Sequence, residues 1–290
     1  MIDSKMDDLI SIYGAIPPSP EHLDVKVDWI DCSFAAERAR LLKYIFICHS
    51  GGKVYEFPAM CAVPSSEGPH PVIIHMDYEL GLPSRYTPCE EILDMGYAVL
   101  QLSSADLFPE KRGEHTGLAR LSHQRGARRS GRLSLYAYGI MRAIDKLSSM
   151  SEIDPDRICL AGHGELAEAV LLAAAVDQRV SGVMASGLCG ISYLDSGLYG
   201  GGYLGGEDEC VRIERLSERI SPKRVLLSFS DGDYTFSDPT SLRVHQGLSV
   251  HRRSGGSFLG RSEWQILCAE LDKIGKRRYR VEFFNNFSSP

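Results

Sequence analysis

Residues 157–176 constrain the fold of this chain more than any other stretch. Arg157-Ile158-Cys159-Leu160-Ala161 is a short strand-like run, and residues 165–176 form a helix-like run rich in Ala and Leu. Between them, Gly162-His163-Gly164-Glu165-Leu166 must turn the chain sharply from strand to helix. A strand feeding a helix through so short a corner is the repeating unit of a parallel sheet covered by helices.

The flanking sequence extends that pattern in both directions. The stretch to Pro20 predicts a short helix and a Pro-rich segment, Pro17-Pro18-Ser19-Pro20, so residues 1–24 form a lead-in and residues 25–290 a single domain. Strands are predicted at 25–30, 44–48 and 54–63, with Gly51-Gly52 as a hairpin turn between the last two, giving an antiparallel start. Strands then alternate with helices. Strands fall at 71–76, 97–102, 157–161, 180–186, 224–230 and 279–284, and helices at 90–95, 133–150, 165–176 and 262–274. Asp154-Pro155 is expected to break the chain between the long helix and its following strand. Two stretches fall outside this scheme. Residues 103–132 are polar and basic, an excursion over the carboxyl edge of the sheet. Residues 187–206 are rich in Gly and Tyr, either a surface loop or one wall of a ligand groove.

Composition narrows the function classes. The chain of 290 residues is 43% hydrophobic and 24% charged, with a net charge of −6, which suits a globular protein and gives no nucleic-acid footprint. Arg125, Arg128, Arg129 and Arg132 are expected as a solvated face or loop. No apolar run is long enough to span a bilayer, and the acidic, polar first residues do not resemble a secretory leader, so a cytoplasmic setting without membrane contact is expected. The eight cysteines form no Cys-x-x-Cys pair, and Cys48, Cys61 and Cys159 lie in apolar runs, so neither a zinc site nor any other metal or cofactor is expected.

The segment 133–187 resembles a known family. It contains Leu-Ser-Leu-Tyr-Ala-Tyr-Gly-Ile-Met-Arg-Ala-Ile-Asp, then Glu-Ile-Asp-Pro-Asp-Arg-Ile, Ala-Gly-His-Gly and Ala-Ala-Ala-Val-Asp-Gln-Arg-Val. It is similar to α/β-hydrolase esterases of the acetyl xylan esterase and glucuronoyl esterase type, dienelactone hydrolase-like proteins whose corresponding motifs are D-x-x-R-I, G-H-S-R-x-G-K and A-A-x-D-x-R. Weaker pieces extend the likeness across residues 50–240. The resemblance implies an α/β-hydrolase-type, mostly parallel twisted sheet with helices on both faces.

It also implies where an ester-cleaving site would stand. In such enzymes the corner is Gly-x-Ser-x-Gly, and its serine is the nucleophile. Here Gly164 occupies the nucleophile position and Leu166 the closing glycine. Glu165, at the position that conventionally donates one oxyanion-hole N–H, replaces a basic residue, and Glu168 replaces a lysine. Asp233, in Ser230-Asp231-Gly232-Asp233, falls on the acid position, although Asp231-Gly232-Asp233 is equally a turn sequence. No histidine follows His251, so the usual carboxyl-terminal histidine loop and closing helix are expected to be missing. His163 is expected either as a hydrogen-bonded packing histidine or as a substitute base, and His245 and His251 either as surface residues or as substitutes that reach the groove. Asp77 ends the strand that supplies the second oxyanion donor. Tyr193, Tyr199, Tyr203 and Tyr234 are expected either to line a groove and stack on a sugar or to pack within loops.

Glycine has no hydroxyl to deprotonate, so acyl transfer from residue 164 is chemically excluded. The expectation from sequence is therefore a protein that has lost Ser-His-Asp ester hydrolysis and binds a small carbohydrate or acyl ligand or serves as a scaffold. Two alternatives stand beside it. One is an active carboxylic-ester hydrolase with a relocated nucleophile or direct attack by water. The other is a non-catalytic subunit that self-associates or pairs with an active paralogue.

Overall fold

The computed structural model describes residues 9–10, 12–109, 118, 130–188, 209–221, 223–233 and 247–273. Nine strands form one sheet in the order β1-β2-β3-β5-β4-β6-β7-β8-β9. The strands are β1 (His22–Asp31), β2 (Ala39–Ser50), β3 (Lys53–Pro64), β4 (His70–Asp77), β5 (Ala98–Ser103), β6 (Ile153–His163), β7 (Val180–Ser186), β8 (Arg224–Gly232) and β9 (Leu248–Gly256). The helices among the described residues are α1 (Cys89–Asp94), α2 (Ser104–Leu107), α3 (Arg132–Leu147), α4 (Glu165–Val176), α5 (Glu209–Ile220) and α6 (Arg261–Leu271).

The antiparallel start is present. β1, β2 and β3 pair antiparallel, and Gly51 and Gly52 take the positive φ values, 58° and 71°, that a tight turn between Ser50 and Lys53 demands. β5 also pairs antiparallel with β3, and the remaining pairs, from β4-β5 to β8-β9, are parallel. β4 is buried along its whole length, as expected of a strand covered on both faces. One core lies between the sheet and α3, α4 and α5, and the other lies between the sheet and α1 and α6. α4 is apolar on nearly all sides because it is enclosed by the sheet, α3 and α5.

The structure departs from the sequence reading in three places. β6 begins at Ile153, not beyond Pro155, because Ile153 pairs with His70 before a shift of register carries the strand onward to Ile158. α5 and β9 are additional elements. β9 lies parallel to β8 and is largely exposed, so its Leu-Ser-Val-His-Arg-Arg sequence carries little apolar signal. The lead-in contributes to the core: Leu9, Ile12 and Tyr13 are buried there, and Ser134 Oγ donates to Tyr13 O at 2.7 Å. The predicted strand at 279–284 lies outside the described residues.

Candidate active site

β6 ends at His163, and the chain then turns through Gly164 at φ 62° and ψ −130° into α4. Such a positive φ is costly for a side-chain-bearing residue and natural for glycine. The Gly164 N–H donates to Ser186 O at 3.0 Å, tying the corner to β7. Gly162 is required for a different reason. A methyl group on it would lie 2.5 Å from Leu166 O, so the helix can fold back against the strand only where residue 162 lacks a side chain. The elbow geometry is thus present with glycine at its apex.

The strand register places a row of polar residues on one face of the sheet at its carboxyl edge. His75 pairs with Gln101 and Ala161, while Asp77 pairs with Ser103, His163 with Ser186, and Ser186 with Ser228. α6 covers this face, and its Trp264 meets His75 edge-on with ring centroids 5.1 Å apart. Burial forces His75 down to a pKa of about 4, opposed by the nearby Asp77 carboxylate and reinforced by His163.

His163 is central to the row. Its Nδ1 is buried with no hydrogen-bond partner among the described residues. Burial lowers its pKa below the ordinary histidine value; Asp233 pulls it upward, Arg253 downward, and Glu263 and Asp77 upward. Asp233 Oδ2 accepts from the Ser230 N–H at 2.6 Å, while its Oδ1 is buried without a partner among the described residues. Glu263 is fixed at the start of α6: its Oε2 accepts from the Gly260 N–H and Ser262 Oγ, each at 2.9 Å, and its Oε1 pairs with Arg253.

The other predicted residues are placed as follows. Asp77 is directed inward, in contrast to a pocket-facing role. Its oxygens accept from the Tyr78 N–H at 2.7 Å, from Gln101 Nε2 at 2.8 Å and from Ser84 Oγ at 3.2 Å. Glu165 opens α4 with its carboxylate 4.0 Å from the Arg132 guanidinium. That cation offsets the negative charge beside the elbow and draws Arg132 out of the solvated patch expected for it. Glu168 is buried and accepts from Tyr13 Oη at 2.5 Å, so the lead-in satisfies the carboxylate standing where the resemblance implied a lysine. His251 lies half-buried on β9 opposite Ser228. Tyr193, Tyr199, Tyr203, Tyr234 and His245 lie outside the described residues. No group of three His, Cys, Asp or Glu side chains among the described residues is arranged to hold a metal ion. Sequence reasoning passed over Gln101, Ser228, Arg253, Ser257 and Glu263, because no local motif marks a side chain whose partners come from other strands.

A mostly parallel sheet whose central strand turns through a left-handed residue into a buried helix defines an α/β-hydrolase-type protein. The comparisons with known proteins narrow the class. The family described as "Glucuronyl esterase, fungi" matches residues 47–194, more than half of the chain and including the elbow. The chain belongs to this glucuronyl esterase family, whose chemistry is the hydrolysis of carboxylic esters. A 4-O-methyl-glucuronoyl methylesterase of Podospora anserina is 23% identical over 185 residues, covering 61% of this chain and 34% of that protein. The chain thus spans about a third of the length of that curated relative. Among solved structures, a glucuronoyl esterase from Solibacter usitatus superposes with a TM-score of 0.78 at 15% identity, covering 94% of this chain and 92% of that one. The glucuronoyl esterase catalytic domain from Hypocrea jecorina superposes with a TM-score of 0.66 at 17% identity, covering 93% of this chain and 82% of that one. These two likenesses establish the shared fold.

The family match corrects the expectation of a protein that has lost its ester chemistry. The active-esterase alternative fits better. The missing hydroxyl at Gly164 implied inactivity only on the premise that the attacking oxygen must come from the elbow.

Proposed function

We propose that this chain hydrolyses carboxylic esters of a glucuronyl acid, with His163 accepting the proton of the attacking hydroxyl. The observation that carries the reading is the family match running through the elbow, residues 47–194. The name of the Podospora relative, a 4-O-methyl-glucuronoyl methylesterase, supports the same class of bond.

The chemistry follows from the groups at the carboxyl edge of β6 and β8. Gly164 offers no oxygen, so attack comes from water or from another side chain. A base must be unprotonated at the working pH and able to take a proton as the bond forms. Burial keeps the His163 imidazole neutral at pH 7, which leaves a ring nitrogen able to accept. The Asp233 carboxylate steadies the imidazolium that forms, the part an orienting carboxylate plays in a triad. The amino end of α4, which opens at Glu165, carries the partial positive charge of a helix start and is suited to receive the developing oxyanion. Arg132 beside Glu165 keeps that region from becoming strongly negative.

The test is direct. Purified protein is supplied with methyl and benzyl esters of glucuronic acid, and release of acid is followed by titration. Turnover is expected, and both His163→Ala and Asp233→Ala are expected to remove it. Folded wild-type protein giving no release above the buffer blank would overturn the reading.

A further inference from the structure

We propose that Ser257 is the relocated nucleophile, with His163 as its base; the proposal rests on the ester-hydrolase reading above. Gly187 follows β7 in the left-handed region, at φ 57°. A methyl group on it would lie 2.4 Å from His163 Cε1, 2.8 Å from His163 Nδ1 and 2.8 Å from Ser257 Oγ. Imidazole and hydroxyl therefore both border the space that a side-chain carbon on residue 187 would fill. That space is clear because residue 187 is glycine.

Two further observations bear on this pair. The His163 Nδ1 turned toward this space has no hydrogen-bond partner among the described residues, and Oδ1 of the neighbouring Asp233 likewise has none. Ser257 follows β9 directly and is exposed, so a substrate can reach its Oγ. A hydroxyl and a base that are apart in the free enzyme commonly close to hydrogen-bond distance only when substrate binds.

The reaction balances with these groups and water alone. Ser257 Oγ attacks the ester carbonyl carbon while its proton passes to His163 Nδ1. Collapse of the tetrahedral intermediate breaks the bond to the alcohol oxygen, which leaves with the proton held by His163. Water then attacks the acyl-Ser257 ester and gives a proton to His163. That proton returns to Ser257 Oγ as the sugar acid departs.

The experiment pairs a fluorophosphonate probe, with the labelled residue identified by peptide mass spectrometry, and turnover of methyl glucuronate. A single phosphonylated residue, Ser257, is expected, and His163→Ala should abolish its labelling. Ser257→Ala should lower kcat by at least about 10³-fold. Ser254→Ala, at an exposed serine within β9, should leave kcat unchanged. Turnover that survives Ser257→Ala but is lost in His163→Ala would overturn the proposal in favour of direct attack by water, with the hydrolase reading intact. Absence of turnover in every form would remove the hydrolase reading, and the probe would then decide alone: labelled Ser257 supports the nucleophile, and unlabelled Ser257 overturns it. Because Ser257 is exposed, its substitution leaves both cores untouched, and an unchanged Tm verifies folding.

Discussion

Two polar clusters lie on the same face of the same sheet edge, and they differ in how their hydrogen bonds are met. At the end of β4 and β5 the groups satisfy one another. His75 Nδ1 meets Thr87 Oγ1 at 2.7 Å, Gln101 Nε2 donates to Asp77 Oδ2 at 2.8 Å, and Gln101 Oε1 accepts from the Gly81 N–H at 2.7 Å. At the end of β6 and β8 the groups do not. His163 Nδ1, Asp233 Oδ1, Ser228 Oγ and Ser230 Oγ are buried without partners among the described residues. Buried polar atoms are normally paired, so a cluster of unpaired ones among the described residues is a candidate place for binding. The closed cluster braces the loop after β4, and the open cluster is where the chemistry is proposed.

The largest effect that would sharpen this contrast is on rate. His163→Ala should cost 10²- to 10⁴-fold in kcat, about 3–5 kcal/mol of barrier, measured on methyl glucuronate. A variant with wild-type kcat would break the comparison at its centre.

The next effect is the dependence of stability on acid. The folded-state pKa of His75 is depressed to about 4 by burial, whereas the unfolded chain binds that proton near the ordinary 6.5. Stability from this group is therefore fully present above pH 6.5 and falls as the pH drops toward 4. The loss is at most about 3 kcal/mol, and the depressed His163 adds to it in the same direction. Urea unfolding between pH 7 and pH 4 measures it. His75→Gln should flatten the curve, whereas an unchanged slope would place the acid sensitivity elsewhere.

A smaller cost is expected inside the closed cluster. Gln101→Leu strips Asp77 of a buried donor and should destabilise by about 1–3 kcal/mol in urea titrations. The smallest effect belongs to the open cluster. Ser228→Ala removes a hydroxyl without a side-chain hydrogen bond among the described residues and should shift stability by no more than about 0.5 kcal/mol. If these two values were reversed, the distinction between a closed and an open cluster would fail.

Local sequence was sufficient where local physics decides. β7 and α4 fall at the predicted bounds, 180–186 and 165–176, because a bracketed apolar run and an Ala/Leu run carry their own signals. The hairpin at Gly51-Gly52 was legible because its turn needs two positive φ values. β9 and α5 were missed. β9 is a polar edge strand recruited by pairing to β8, and α5 is amphipathic but follows a Gly-rich stretch that obscured its start. At the site, the missing hydroxyl at Gly164 was legible. The unmet hydrogen bonds of His163 and Asp233 were not, since an unmet bond is a property of what surrounds a side chain.

By itself, then, the sequence determined the strand-turn-helix corner, the class of sheet built around it and the absence of an oxygen at residue 164. Backbone preference and hydrophobic period act over a few residues, so they are written locally. Only the tertiary structure decided that His163, Gly187, Asp233 and Ser257 share one place, and that Asp77 faces inward to Gln101. These groups come from different strands, and strand order together with register, not distance along the chain, brings them within reach of one another.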